Sequence, residues 1–165
     1  MRHLTILLLG LAACLLASCA STAVVGANTP NKSATRITAV RTTAYTHGES
    51  DHIIYGARTA VGTNLKYGNV RSAAADWSVY PVGTVFQIEG LPYVYQVDDY
   101  GSALVGTNTI DLYKPDKATM NAWGVRNVNI RVLKWGSFSK SLSIMKPRTG
   151  YSHIRRMVAR IEGSS

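Results

Sequence analysis

Acidic residues are scarce in this 165-residue chain: nine Asp plus Glu stand against eighteen Lys plus Arg, a net charge of +9. Any site built from carboxylates can therefore be enumerated residue by residue. Cysteine is scarcer, at two, too few for a disulfide scaffold or a four-thiolate zinc site. Charged residues make up only 16%, which excludes a disordered or coiled-coil chain. No Walker loop, dinucleotide fingerprint or Ser-His-Asp order is present, and no internal repeat. What is there is a 46% hydrophobic fraction, enough for one packed domain, with three Trp and nine Tyr suited to a carbohydrate or nucleic-acid surface.

The one long apolar run lies at the start. Arg2 precedes a stretch from Leu4 to Leu16 that is almost wholly apolar. It is shorter than the ~20 residues of a lasting membrane span and matches the core of a secretory signal. Its end, Leu16-Ala17-Ser18-Cys19, is similar to the bacterial lipoprotein processing box. That likeness implies a signal peptide over residues 1–18 and an acylated thiol at Cys19. Leu11-Ala12-Ala13-Cys14 is a second match, but cleavage there leaves Leu15 and Leu16 exposed; an ordinary secretory signal with two incidental cysteines is the bland alternative. Ala20, not Asp, follows Cys19, so the resemblance points to a lipid anchor in the outer membrane, facing the periplasm. Residues 19–35, rich in Ala, Ser, Thr, Asn and Gly, form a tether whose flexible part reaches about 20–25 Å. Export also removes nucleic acid from the expected partners and leaves acidic wall peptides and anionic lipids.

Residues 36–136 read as a mainly β domain. Strands are expected over Arg36–Tyr45, Ser72–Trp77, Val85–Glu89 and Tyr93–Asp98, around Ile110–Tyr113, and over Val128–Val132, with a glycine-punctuated long loop or two short strands across 47–70. In Tyr93–Asp98 the alternation puts Tyr93, Tyr95 and Val97 on one face and Val94, Gln96 and Asp98 on the other, so Asp98 reads as a solvated strand residue. Lys114-Pro115-Asp116 opens a short helix that Gly124 closes. Six strands and one helix without βαβ repeats predict a small closed barrel. In the basic extension, 137–165, Ile154, Met157, Val158 and Ile161 recur at helical spacing among Arg155, Arg156 and Arg160. A helix packed on the barrel is the preferred reading, a membrane-surface helix the alternative.

The acids fall in ordered motifs: Ala75-Asp76-Trp77, then Pro81-Val82-Gly83-Thr84, then Asp98-Asp99-Tyr100-Gly101-Ser102 with Gly106, then Ile110-Asp111-Leu112-Tyr113, then Trp123-Gly124-Val125-Arg126. Taken together they resemble the three-aspartate ("3D") domain, a six-stranded double-psi β-barrel found in membrane-bound lytic transglycosylase A and in muralytic resuscitation-type proteins. The likeness covers roughly Thr43 to Trp135. It places the family's three aspartates on Asp76, Asp99 and Asp111, since Gly106 lies seven residues after Asp99. Trp77 stands where the family has proline, Tyr100-Gly101-Ser102 where it has Thr-Gly-Gly, and one extra residue precedes Ile110-Asp111.

Breaking a glycosidic bond requires a proton on the bridging oxygen and support for an oxocarbenium-like centre. A lytic transglycosylase needs no water: the spent acid accepts a proton from the sugar's own 6-hydroxyl, which closes a 1,6-anhydro ring. The resemblance implies that role for Asp111 on the MurNAc–GlcNAc β-1,4 bond of peptidoglycan glycan strands. Asp99 is then a companion that helps keep it protonated, and Asp76 a positioning residue or a turn cap. Tyr45, Thr59, Tyr100, Gly101 and Tyr113 are the expected sugar-binding residues, with no cofactor or metal and a monomeric state. His47, Glu49, Asp51 and His52 cluster without a recognised metal spacing, so a polar loop, or a groove lining, is expected. Tyr93, Tyr95, Trp77 and Trp123 read mainly as core. The rival readings are a non-catalytic wall-binding barrel and, third, a glycoside hydrolase pairing Asp99 with Asp111.

Overall fold

The structure, a computed structural model, describes residues 34–49 and 53–164. The signal segment, most of the tether, Cys14, Cys19, Asp51 and His52 lie outside the described residues. Six strands form the core: β1 (Thr35–Tyr45), β2 (Val70–Ala74), β3 (Val85–Ile88), β4 (Val94–Asp99), β5 (Ile110–Tyr113) and β6 (Arg126–Lys134). They close into a barrel in the order β1-β5-β2-β4-β3-β6, the mainly β architecture that the motifs predicted. β1 with β5 and β2 with β4 are parallel pairs, so the chain crosses over rather than running up and down in sequence. The expected strand over 72–77 begins and ends earlier, and the last strand is longer than the alternating segment that announced it.

Alternation accounts for the closure. Ala73, Phe86, Ile88, Tyr95, Val97, Ile110, Leu112, Ile130 and Val132 turn inward and are almost free of solvent. Phe86 stacks on Tyr95 with ring centres 5.3 Å apart. Each such side chain contributes about 1.5–3 kcal/mol relative to exposure.

Among the described residues three α-helices pack around the barrel. Helix α1 (Lys117–Trp123) is capped by Asp116, whose carboxylate accepts from Thr119 N at 2.8 Å; Pro115 lies just outside the helix. Helix α2 (Phe138–Met145) had no counterpart among the expected elements; Ser137 caps it, and Met145 reaches the core. Its approach depends on Gly136, where a Cβ would stand 2.3 Å from the carbonyl oxygens of Pro81 and Val82. Helix α3 (Ser152–Glu162) buries Ile154, Met157, Val158 and Ile161 against the barrel, which is the packed reading of the basic extension. Among the described residues no helix is long and apolar enough to cross a membrane.

The ladder between β2 and β4 is interrupted once. Ala73 pairs with Val97 but Ala74 pairs with Asp99, leaving Asp98 as an extra residue in a β-bulge.

Candidate functional site

Ala74 of β2 lies between Asp99 on β4 and Asp111 on β5, and Asp111 in turn lies beside Thr43 on β1. Laterally paired residues share a face of a sheet, so Thr43, Asp111, Ala74 and Asp99 form one row across four strands. Two strand spacings separate the two acids, about 9–10 Å between Cα atoms. The row faces away from the core, since Ala73 and Leu112, their neighbours along the strands, point inward. Asp111 is half-buried, and Thr43 Oγ1 donates to its Oδ1 at 2.7 Å.

Asp99 is buried and firmly held. Its Oδ1 accepts from the backbone N–H of Ala60 (3.0 Å) and of Tyr100 (2.9 Å), and its Oδ2 from the Tyr45 hydroxyl (3.1 Å). Burial, then the charges of Asp99, Asp98 and Asp111, push the Tyr45 hydroxyl well above its ordinary pKa, so it remains a donor. Tyr45 packs with Ala74, Leu104 and Tyr113 in a cluster separate from the barrel core, with Leu65 and Tyr67 at its margin. The Tyr113 hydroxyl shares a hydrogen bond with His47 Nδ1 at 2.9 Å. His47 from the polar loop therefore does reach this face.

Asp98 corrects the expectation of a solvated residue. It is 3% exposed, paired with Lys66 Nζ and accepting from Ser72 Oγ at 2.9 Å. Burial pushes its pKa up despite Lys66, and its Oδ1 has no hydrogen-bond partner. The bulge explains the difference. Simple alternation would put Asp99 on the core side with Val97 and leave Asp98 alone outside; the extra residue puts both carboxylates on the outer side. There the 57–67 segment covers them, through Ala60 N and Lys66.

Of the other expected site residues, Tyr100 reaches the row only through its backbone N–H, and the rest are engaged away from it. Asp76 has no exposure; it accepts from Ser78 N and Oγ, from Gly106 N at 2.9 Å and from Arg160 Nη1 at 3.0 Å. It ties the end of β2 to α3 and to the turn at Gly106, whose φ of 87° favours glycine. Thr59 is buried, its hydroxyl engaged with Thr63 in a tight turn. Tyr100 packs edge-on against Trp77 (4.9 Å), near His153, and its hydroxyl accepts from Arg148. Gly101 opens a short 3-10 turn. Two departures from the family pattern, Trp77 and Tyr100, thus touch each other beneath the C-terminal extension, and Trp77 Nε1 also donates to the Asp99 carbonyl. The extra residue before Ile110 falls in a turn where Asn108 has φ 54°, and β5 still presents Asp111 opposite Ala74. Sequence reasoning missed Thr43 and Lys66; Thr43 was findable, two residues before Tyr45 on the same strand face.

Two concavities, of about 530 and 240 Å³, lie along α3, lined by Ser152, Arg155, Arg156 and Ala159 and by Val105, Gly106, Arg156, Ala159 and Arg160. Neither contains an acid or an aromatic ring, so the acid row is the site the chemistry selects. Among the described residues no group of three His, Cys, Asp or Glu is placed to hold a metal.

Residues 71–134, which run from β2 to the end of β6, match the family model of the 3D domain. Two Bacillus subtilis proteins share 37% identity with the chain. One, YabE, is named as a candidate cell wall shaping protein and aligns over 107 residues, 62% of this chain and 24% of its own length. The other, the cell wall-binding protein YocH, aligns over 110 residues, 66% of this chain and 37% of its own. The chain thus spans well under half the length of either relative.

Proposed function

From the premise that this chain carries a 3D domain, we propose that it acts on peptidoglycan as a lytic transglycosylase, cleaving the MurNAc–GlcNAc β-1,4 bond. The observation that carries the reading is the outward row in which Asp111 and Asp99 flank Ala74 beside a tyrosine cluster. Asp99 is buried in that row, and a carboxylate taken out of water is expensive for a structure that does not need it for packing. The names of the two relatives, one for wall shaping and one for wall binding, support the polymer.

Asp111, protonated, delivers its proton to the bridging oxygen as the C1–O bond of MurNAc breaks. The positive charge that develops at C1 is supported by the nearby Asp99 carboxylate. Asp111, now a carboxylate, takes the proton of the 6-hydroxyl while O6 bonds to C1. The products are a 1,6-anhydro-MurNAc end and a free GlcNAc hydroxyl, with no water consumed. An internal nucleophile held in position can supply ~7–11 kcal/mol of the barrier. Thr43 fixes one oxygen of Asp111 throughout, and Tyr45 fixes Asp99. A second reading, wall binding without turnover, is favoured by one relative's name and by the three hydrogen bonds that already engage Asp99.

Digestion of purified peptidoglycan with the purified protein, followed by mass analysis, separates the readings. Anhydro-muropeptides are expected, and Asp111→Asn should lower their release by about 10²–10⁴-fold. Reducing-end products would indicate hydrolysis, and intact sacculi the binding module. The Cys19 anchor and an outer-membrane placement belong to the same proposal. Cys19→Ser should move the protein from membrane to soluble fractions, and continued sedimentation with membranes would remove the anchor.

A further inference from the structure

We propose that the mouth of the barrel next to the acid row is an anion-binding subsite formed by Arg71, Lys114 and Arg126, which takes a carboxylate of the peptide branch borne by the same glycan. It rests on the wall-polymer reading above and adds a specificity to it. The register sets the position. Ala74 pairs with Asp111; three residues back along β2 is Arg71, and three residues on along the antiparallel β5 is Lys114. Both therefore lie about 10 Å from the acid row, measured along the strands. Odd spacing turns them to the inner side of the sheet, at the barrel's end.

These cations are enclosed by rings rather than by acids. The Arg71 guanidinium lies 4.0 Å from the Tyr67 ring centre and 3.3 Å from that of Tyr93. The Lys114 ammonium lies 5.7 Å from Tyr67 and 4.7 Å from Trp123, and the Arg126 guanidinium 4.5 Å from Trp123. Backbone carbonyls hold the arginines in place: Gly68 O accepts from Arg71, and Trp123 O and Ala122 O accept from Arg126. Arg71 is 8% and Lys114 5% exposed. Among the described residues none of the three forms an ion pair, whereas the buried acids Asp76 and Asp98 each have a cation. Burial, with Arg71 and Arg126 adding like charge, pushes the Lys114 ammonium down to about 8.

Arg71 and Lys114 are buried without a counter-charge, which is costly, and Arg126 is exposed at their edge; an oxyanion entering past Arg126 relieves that cost. Tyr67 connects these cations to the tyrosine cluster beside the acid row: its ring also meets Tyr113 edge-on at 6.4 Å. A glycan lying over the acid row can therefore place a branch carboxylate among the cations.

Calorimetric binding of three soluble probes to the purified chain tests this: a disaccharide bearing its peptide, the same disaccharide stripped of peptide, and a glycerol phosphate oligomer. The peptide-bearing sugar should bind about tenfold more tightly than the stripped one. Lys114→Met, whose side chain fills the same aromatic slot, should erase that gap without changing affinity for the stripped sugar, and Lys114→Arg should keep it. Equal affinity of the wild type for the two sugars, or a gap that survives in Lys114→Met, overturns the subsite and leaves the wall-polymer reading standing. Failure of both sugars to bind overturns both. Tighter binding of the glycerol phosphate oligomer than of the peptide-bearing sugar overturns the carboxylate assignment.

Discussion

Asp76 and Asp111 come from two motifs of the same family pattern and occupy opposite kinds of ground. Asp76 lies beneath α3 with no solvent exposure and four donors around it: two from Ser78, one from Gly106 and one from Arg160. Asp111 is half-buried on the outer face of β5, with Thr43 donating to one oxygen. The surroundings divide the labour. A carboxylate saturated by donors in the interior holds chain segments together and is poorly placed to exchange protons with a polymer. A carboxylate at an open face costs the fold little and can meet a substrate. The lesson is that a shared motif letter does not fix a shared role.

The largest effect should come from removing the interior member. Asp76→Ala leaves the Gly106 N–H and the Ser78 donors without their acceptor and removes the Arg160 tie between α3 and the end of β2, at a cost of about 2–4 kcal/mol. Asp111→Asn keeps an oxygen for Thr43 to donate to and should change stability by less than about 1 kcal/mol, while lowering anhydro-product release by the factor expected above. Urea unfolding of both variants measures the contrast. If Asp111→Asn is destabilised as much as Asp76→Ala, the division into tie and open acid collapses.

Much of the architecture was legible in the sequence because barrel strands alternate. Tyr95 and Val97, Ile110 and Leu112, Ile130 and Val132 mark their own inward faces, and Asp116 with Gly124 frames α1. Alternation fails where the period breaks. The bulge at Asp98 is a one-residue register shift between β2 and β4, invisible to a pattern read along one strand, and it reverses the side on which alternation alone would put Asp99. Helix α2 was illegible because Phe138–Met145 is short, with three Ser and a Lys among its four apolar residues, and docks through Gly136, whose fit is set by carbonyls of the 81–82 segment. Trp77 and Tyr100, which in sequence stand as departures within the site motifs, meet instead under the C-terminal extension, a contact between residues that are 23 apart in number and joined by packing alone.

A finer comparison sets the cation partners of the two interior acids against each other. Arg160 serves Asp76 and Lys66 serves Asp98, with cation side chains 52% and 35% exposed respectively. Asp76 keeps three other donors if its cation is lost, so Arg160→Met should cost under about 1 kcal/mol. Asp98 keeps only Ser72, and its second oxygen is already without a partner, so Lys66→Met should cost about 1–2 kcal/mol at neutral pH, given that water screens part of the pair. The sign of the pH dependence follows from the raised pKa of Asp98. An acid whose folded pKa exceeds its unfolded value burdens the fold above that folded pKa, and the burden lifts as pH falls through it towards about 4. Loss of Lys66 raises the folded value further, so the Lys66→Met deficit should shrink on acidification from neutral pH. Unfolding midpoints of the wild type and both variants across that range check it. A deficit that stays constant with pH would mean that Lys66 acts through its packing over β4 and not through the charge of Asp98.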